Sequence, residues 1–257
     1  MLDFLQRDPW GFLQFMLYRA PAVLLALTLH EVAHGYAALR AGDPTAQRMG
    51  RLSLNPLKHL DPIGTLFLFL LGFGWAKPVP VNPNNYRRGA KDDLIVSLAG
   101  VTTNFILFVL STLLAIGVGL LLYQGEVLGY YGLDFFLNFD KAGFSLQLFP
   151  QYAGELTPIL KTPWLLHVQR FLLHLCLINL GLALFNLLPI PPLDGFHVVN
   201  DLIFKGRLRL HPRAFQIAQG ALFVLLFATD IISNIISGAI SLVQGLVLTG
   251  ALRLFGL

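Results

Sequence analysis

The sequence predicts an all-α, polytopic integral membrane helix bundle of about six membrane segments, with a short extended, β-like surface segment near 76–83. Three observations predict it. Only 12% of the 257 residues are charged, against about 25% in a soluble domain, while 55% are hydrophobic. Apolar runs of about 20 residues, the length that crosses a hydrocarbon core, recur along the chain. Prolines, glycines and charges gather between those runs, where loops belong. The chain reads as a single membrane-embedded domain, 1–257, with a catalytic core over about 20–205 and terminal membrane segments over about 214–250.

Each element follows from local pattern. The first residues lack a basic stretch and a small-residue cleavage site, so no signal peptide is expected. Residues 9–19 mix Trp10, Phe12, Phe15 and Tyr18 with polar groups, as in an interfacial helix or the outer turns of a span. Residues 20–41 form the first span, ended by Gly42-Asp43-Pro44. Residues 42–60 are a basic loop. Residues 62–75 are apolar but short, which suits a re-entrant or broken segment. Residues 76–92 carry Pro78, Pro80, Pro83 and three asparagines, which exclude a helix. Residues 94–123 make a tilted span, 124–162 an acidic loop, and 163–188 another span broken by Pro189, Pro191 and Pro192. Residues 205–213 are basic. The apolar stretch 214–250 exceeds one span and breaks near Asp230.

Charge placement orients the bundle. Loops 42–60, 76–92 and 205–213 are basic, whereas 124–162 holds Glu126, Asp134, Asp140 and Glu155 against Lys141 and Lys161. By the positive-inside rule the basic loops face the cytoplasm. The formal charge is +4, but the basic residues form no dense run interleaved with aromatics, so nucleic acid is not an expected partner. The single cysteine, Cys176, excludes an intrachain disulfide and a cysteine zinc site.

The chemistry lies in His30-Glu31-Val32-Ala33-His34, within the first span. Histidines four apart share one helix face, so both imidazoles can reach one Zn²⁺, and the intervening glutamate suits a general base for hydrolysis. Ionisable groups at bilayer depth are costly and mark function. A catalytic zinc usually takes three protein ligands. Candidates for the third are Asp194, just after the proline break, then His197 and Asp230. Asn104 and Asn186 are intramembrane amides suited to an oxyanion, or to hydrogen bonding between helices. His59, His167 and His211 lie near span ends, and His174 reads as a packing residue.

At these residues the chain resembles the site-2 protease family of intramembrane zinc metalloproteases. Four stretches carry the likeness: Leu29–Gly35; Gly74-Trp75-Ala76-Lys77-Pro78-Val79-Pro80-Val81-Asn82-Pro83; Ser97-Leu98-Ala99-Gly100 through Asn104; and Phe185-Asn186 through Leu193-Asp194-Gly195. The resemblance implies Zn²⁺, one per chain, held by His30, His34 and Asp194, with Glu31 as catalytic acid/base. It implies that Asn186 helps hold the substrate backbone or oxyanion. Asn104 ends a third motif that reads Gly-Val-Thr-Thr-Asn here instead of the commoner Gly-Pro. His197 is not a family ligand and would stand behind the ligands. Lys77, Val79 and Val81 would pair with an unwound substrate strand. The form is compact, without a PDZ insertion or a CBS domain.

The expected activity is hydrolysis of peptide bonds in or near transmembrane segments of membrane proteins or peptides. The expected location is a prokaryotic cell (inner) membrane, with the site toward the cytoplasm. Two other functions fit parts of the pattern: a metal-ion or proton transporter, since intramembrane His and Asp also line ion paths, and an inactive homologue that binds transmembrane helices. Transporters tend to show internal repeats, and no second copy of either motif is present. The intact glutamate disfavours the inactive form.

Overall fold

Two 33-residue helices, Pro9–Ala41 (α2) and Ala90–Leu122 (α5), frame the molecule. The computed structural model describes residues 2–71, 76–208 and 210–257. Around that pair run α1 (Leu2–Arg7), α3 (Thr45–Arg48), α4 (Pro62–Leu71), α6 (Gly125–Leu137), α7 (Ala142–Leu148) and α8 (Ala153–Leu156). They are followed by α9 (Leu165–Asn186), α10 (Asp194–Ile203), α11 (Pro212–Ala228) and α12 (Ile231–Leu254). Four of these, α2, α5, α9 and α12, are long and apolar enough to cross a membrane. That is two fewer than the six or so segments the sequence predicts. The stretches over α4 and Arg213–Leu226 are apolar but shorter.

The helix ends are chemically specified. Asp8 caps α2 by accepting from the Gly11 N–H at 2.9 Å, and Pro9 takes the first helical position, where its missing N–H costs nothing. Residues 9–19 therefore continue the first span instead of lying apart from it. Gly42 ends α2 at φ 112°, a left-handed conformation open to glycine. At the start of α5, Asp92 accepts from the Arg88 main-chain N–H and guanidinium, each at 2.8 Å. This cap lets α5 start at Ala90, four residues before the expected span.

α2, α5 and α9 pack on one another, α10 packs on α5, and α12 lies against α9 and α5. Lipid tails are as apolar as leucine, so close packing must hold such helices together. Small residues provide it: Ala22, Ala26 and Ala38 on α2, Ala115 on α5 and Ala183 on α9 are buried. Leu17, Leu25, Ile106, Leu110, Leu114, Leu242 and Leu246 are exposed on the outer faces, as a lipid-facing surface requires.

The acidic stretch 124–162 is a correction to the sequence reading, because it folds as α6, α7 and α8 instead of an open loop. Its helices are short and broken by glycine and proline, so no periodic pattern announces them. They cap one end of the bundle. Tyr123 stacks on Phe136 with centroids 3.9 Å apart. The Arg170 Nε of α9 donates to the Gln147 carbonyl at 2.8 Å. The final stretch does break at Thr229-Asp230, where α12 begins.

Candidate metal centre

His30 and His34 occupy adjacent turns of α2, and Asp194 opens α10. The chain reaches Asp194 through a tight turn after α9. A Cβ on Gly195 would lie 2.2 Å from the Leu187 carbonyl oxygen, so only glycine lets the start of α10 press against that turn. His34 lies seven residues from the end of α2, about 10 Å at 1.5 Å per residue. Val96 is a similar distance from the start of α5. The cluster is thus sunk below the helix ends.

Three atoms that could ligate a metal meet there. His30 Nε2 is 3.0 Å from His34 Nε2, and Asp194 Oδ2 is 3.4 and 3.3 Å from the two nitrogens. Tetrahedral zinc with ligands at about 2.0–2.1 Å has donor–donor edges of about 3.3 Å. Asp194 Oδ2 is buried and has no hydrogen-bond partner. His34 Nδ1 donates to the Val96 carbonyl at 2.7 Å. A carbonyl only accepts, so Nδ1 carries a proton, and in the neutral ring that a metal requires the Nε2 lone pair faces Asp194. A carboxylate oxygen and a lone pair facing each other at this distance fit a bound cation. Among the described residues, this is the one such group of three.

Gly100 of α5 shapes the cradle. A Cβ there would lie 2.3 Å from His34 Nε2, 2.5 Å from His30 Cε1 and 2.7 Å from His30 Nδ1. The sequence placed Gly100 in a motif without showing that it touches both imidazoles.

Glu31 does not join the three donors. Its Oε2 accepts from the Val79 main-chain N–H at 2.7 Å, which brings segment 76–82 against α2. That segment is extended, with a single bridge between Leu60 and Ala76, and the described residues hold no β-strand. Ala76 and Val79 are buried, whereas Lys77, Pro78 and Val81 are exposed. The flanking prolines hold φ near −65°, which favours a threefold twist over a flat twofold pleat. Val79 and Val81 therefore face different ways. Gly74 and Trp75 lie outside the described residues.

The two amides differ. Asn104, one turn beyond Gly100, is fully buried, and neither amide atom has a partner. Asn186 Nδ2 donates to the Leu182 carbonyl at 3.0 Å, so one of its two N–H groups is used on its own helix. His197 is not among the converging donors; its Nδ1 lies 3.6 Å from Asp93. The Asp93 carboxylate raises its pKa. One turn further, Asp201 is pushed up to about 6, by burial first and then by the charge of Asp93. Asp230 precedes α12 and takes no part in the cluster.

A second polar hub lies at the end of α2. Asp43 is fully buried and accepts from the Thr45 N–H and hydroxyl, the Asn82 N–H at 2.7 Å and Asn85 Nδ2 at 2.7 Å. Burial opposes its charge, but the hydrogen bonds from Thr45 and Asn85 outweigh it, and its pKa is lowered. This hub pins segment 82–85 to α2. Its signal in the sequence was Gly42-Asp43-Pro44, read there only as a helix stop.

Membrane-length helices enclosing a His-His-Asp donor set, with a glutamate between the histidines, define a membrane metalloprotease. The comparisons agree: the pattern of Peptidase family M50 matches residues 18–229, and the chain belongs to that family, the site-2 proteases. It is 34% identical over 224 residues to "Putative zinc metalloprotease YwhC" of Bacillus subtilis, covering 87% of this chain and 86% of that protein. It is also 38% identical over 92 residues to "Putative zinc metalloprotease Rip2" of Mycolicibacterium smegmatis, covering 34% of this chain and 35% of that protein. No solved structure matches the chain significantly. The protein is a zinc metalloprotease, and its donor set suits the ion.

Proposed function

We propose that this protein is an intramembrane endopeptidase, one membrane-embedded domain that hydrolyses peptide bonds in or near the transmembrane segments of other proteins. The observation that carries this reading is the convergence of His30, His34 and Asp194 at 3.0–3.4 Å, below the ends of membrane-length helices. We take these three as the zinc ligands. When bound, zinc supplies a Lewis acid that brings the pKa of water toward ~7.

The protein groups do the rest. Glu31 removes the proton from the attacking water and returns it to the leaving amine nitrogen. The Val96 carbonyl fixes the His34 ring, so that Nε2 stays directed at the centre. Asn104, buried without a partner, and Asn186 are the amides we assign to holding an oxyanion or substrate backbone. Asn186 has a second N–H to offer beside the one that the Leu182 carbonyl accepts. A helical substrate shields its peptide bonds, so a segment must unwind before it is cut, and the main chain over Lys77–Val81 is the surface along which it lies. His197 stands behind the ligands, paired with Asp93.

Loops carrying Arg48, Arg51, Lys58, Lys77, Arg87, Arg88, Lys91, Lys205 and Arg207 flank the ends nearest the site, which supports a cytoplasmic orientation in a prokaryotic cell membrane. The test is purified Glu31→Gln protein with a panel of single-pass helices in liposomes. The wild-type cleaves at least one helix; the variant keeps one zinc per chain and cleaves none. Cleavage by Glu31→Gln at the wild-type rate overturns the proposal.

A further inference from the structure

The main-chain N–H of Val79 lies 2.7 Å from Glu31 Oε2. A glutamate has three rotatable bonds and loses rotamer freedom when fixed, so a general base on a helix face needs something to hold it. Pro78 and Pro80 have no N–H, which leaves Val79 as the single donor in that stretch of main chain.

The donor is itself held from several sides. The Val79 side chain is buried in the hollow at Gly35, one turn beyond Glu31, where an added Cβ would lie 3.0 Å from Val79 Cγ1. The Lys77 N–H donates to the His59 carbonyl at 2.8 Å, and Arg51 Nη2 donates to the Lys77 carbonyl at 2.8 Å. On the other side the Asn82 N–H is fixed by Asp43 at 2.7 Å. A contact meant to give way would not be anchored on both flanks. A donor fixed before substrate arrives is a preorganised one.

We propose that Val79 is a positioning residue: its main-chain N–H holds one Glu31 oxygen and leaves the other to take the proton of the attacking water. This rests on the reading of Glu31 as general base. The sequence assigns Val79 to the substrate strand; here its N–H serves the enzyme's own base, and pairing falls to the exposed groups beside it.

The test compares Val79→Pro, which removes the N–H and keeps an extended chain, with Val79→Ala, which keeps the N–H and trims the side chain. Both are assayed on a single-pass helix in liposomes. Val79→Pro should lower kcat about 10- to 100-fold, the usual cost of losing an orienting partner, with KM within about twofold and zinc content unchanged. Val79→Ala keeps the donor and should lose several-fold less kcat than Val79→Pro. A rise in KM alone would give the N–H to the substrate, a rise in kcat would make the contact a restraint, and equal losses in both variants would make Val79 a packing residue. Each of these overturns the proposal. Should Val79→Pro fail to fold, amide exchange decides. The Val79 amide should exchange at least about tenfold faster in Glu31→Ala than in wild type, and equal rates overturn the proposal. Wild-type cleavage by Glu31→Gln would instead remove the general-base reading beneath it.

Discussion

Adding one methyl group at Gly100 should empty the metal centre while leaving the fold standing. The alanine Cβ would stand 2.3 Å from His34 Nε2 and 2.5 Å from His30 Cε1, where ordinary contact begins near 3.4 Å. Relief requires the rings to move by about 1 Å, or α5 to withdraw from α2. The rings have little freedom, since His34 is tied to the Val96 carbonyl at 2.7 Å. Metal–ligand distances tolerate about 0.2 Å, so a displacement five times larger costs a ligand. Stability changes little by comparison. Alanine gains about 1 kcal/mol over glycine in a helix, against about 1–3 kcal/mol for overpacking. Gly100→Ala should therefore melt within a few degrees of wild type, bind zinc at least about 100-fold more weakly and lose hydrolysis to match. Zinc titration against a competing chelator, beside thermal unfolding of the detergent-solubilised protein, measures both quantities. Wild-type zinc affinity in a folded Gly100→Ala protein would refute the geometry.

Other perturbations separate the roles of neighbouring groups. Asp43→Ala strands the Thr45, Asn82 and Asn85 donors and should cost about 2–4 kcal/mol of stability, read from the denaturation midpoint; a change under about 0.5 kcal/mol would dismiss the hub. Asp201 has a folded-state pKa raised to about 6 from 3.8. The folded state therefore holds the extra proton between those values, and this contribution is complete below about pH 3.8 and lost as pH rises through about 6. Asp201→Asn should match wild type near pH 4 and melt higher above pH 6; melting curves that stay parallel across that range would reject the assignment. Asp194→Asn keeps the shape of the turn but weakens the anionic donor, so zinc should dissociate at least about 10-fold more readily. Unaltered zinc retention would place the metal elsewhere.

The parts of this protein that could be read in the sequence were those with a local period. His30 and His34 are four apart on an apolar helix, and one turn of helix brings their rings together with no long-range information. The spans over α2, α5 and α9 were equally local. Asp194 needed more, because a distance of 160 residues in sequence says nothing about proximity. The proline break and the family motif named it, and the packing of α10 on α5 brings it to the imidazoles. The cap over 125–160 escaped because its helices are short and its aromatic contacts, such as Tyr123 on Phe136, are tertiary. Val79 is buried and Val81 exposed, a difference that their shared spacing in the sequence does not reveal. Main-chain donors and acceptors at the site, the Val79 N–H and the Val96 carbonyl, leave no trace in side-chain identity, and no reading of motifs could have found them.

The central claim is that two imidazoles and the Asp194 carboxylate hold one zinc ion. Zinc X-ray absorption on the metal-loaded protein tests it most directly. Two imidazole shells at about 2.0–2.1 Å with oxygen completing four-coordination, and loss of one imidazole shell in His34→Ala, are the results expected. A six-coordinate, all-oxygen spectrum, or one unchanged by His34→Ala, would contradict the assignment.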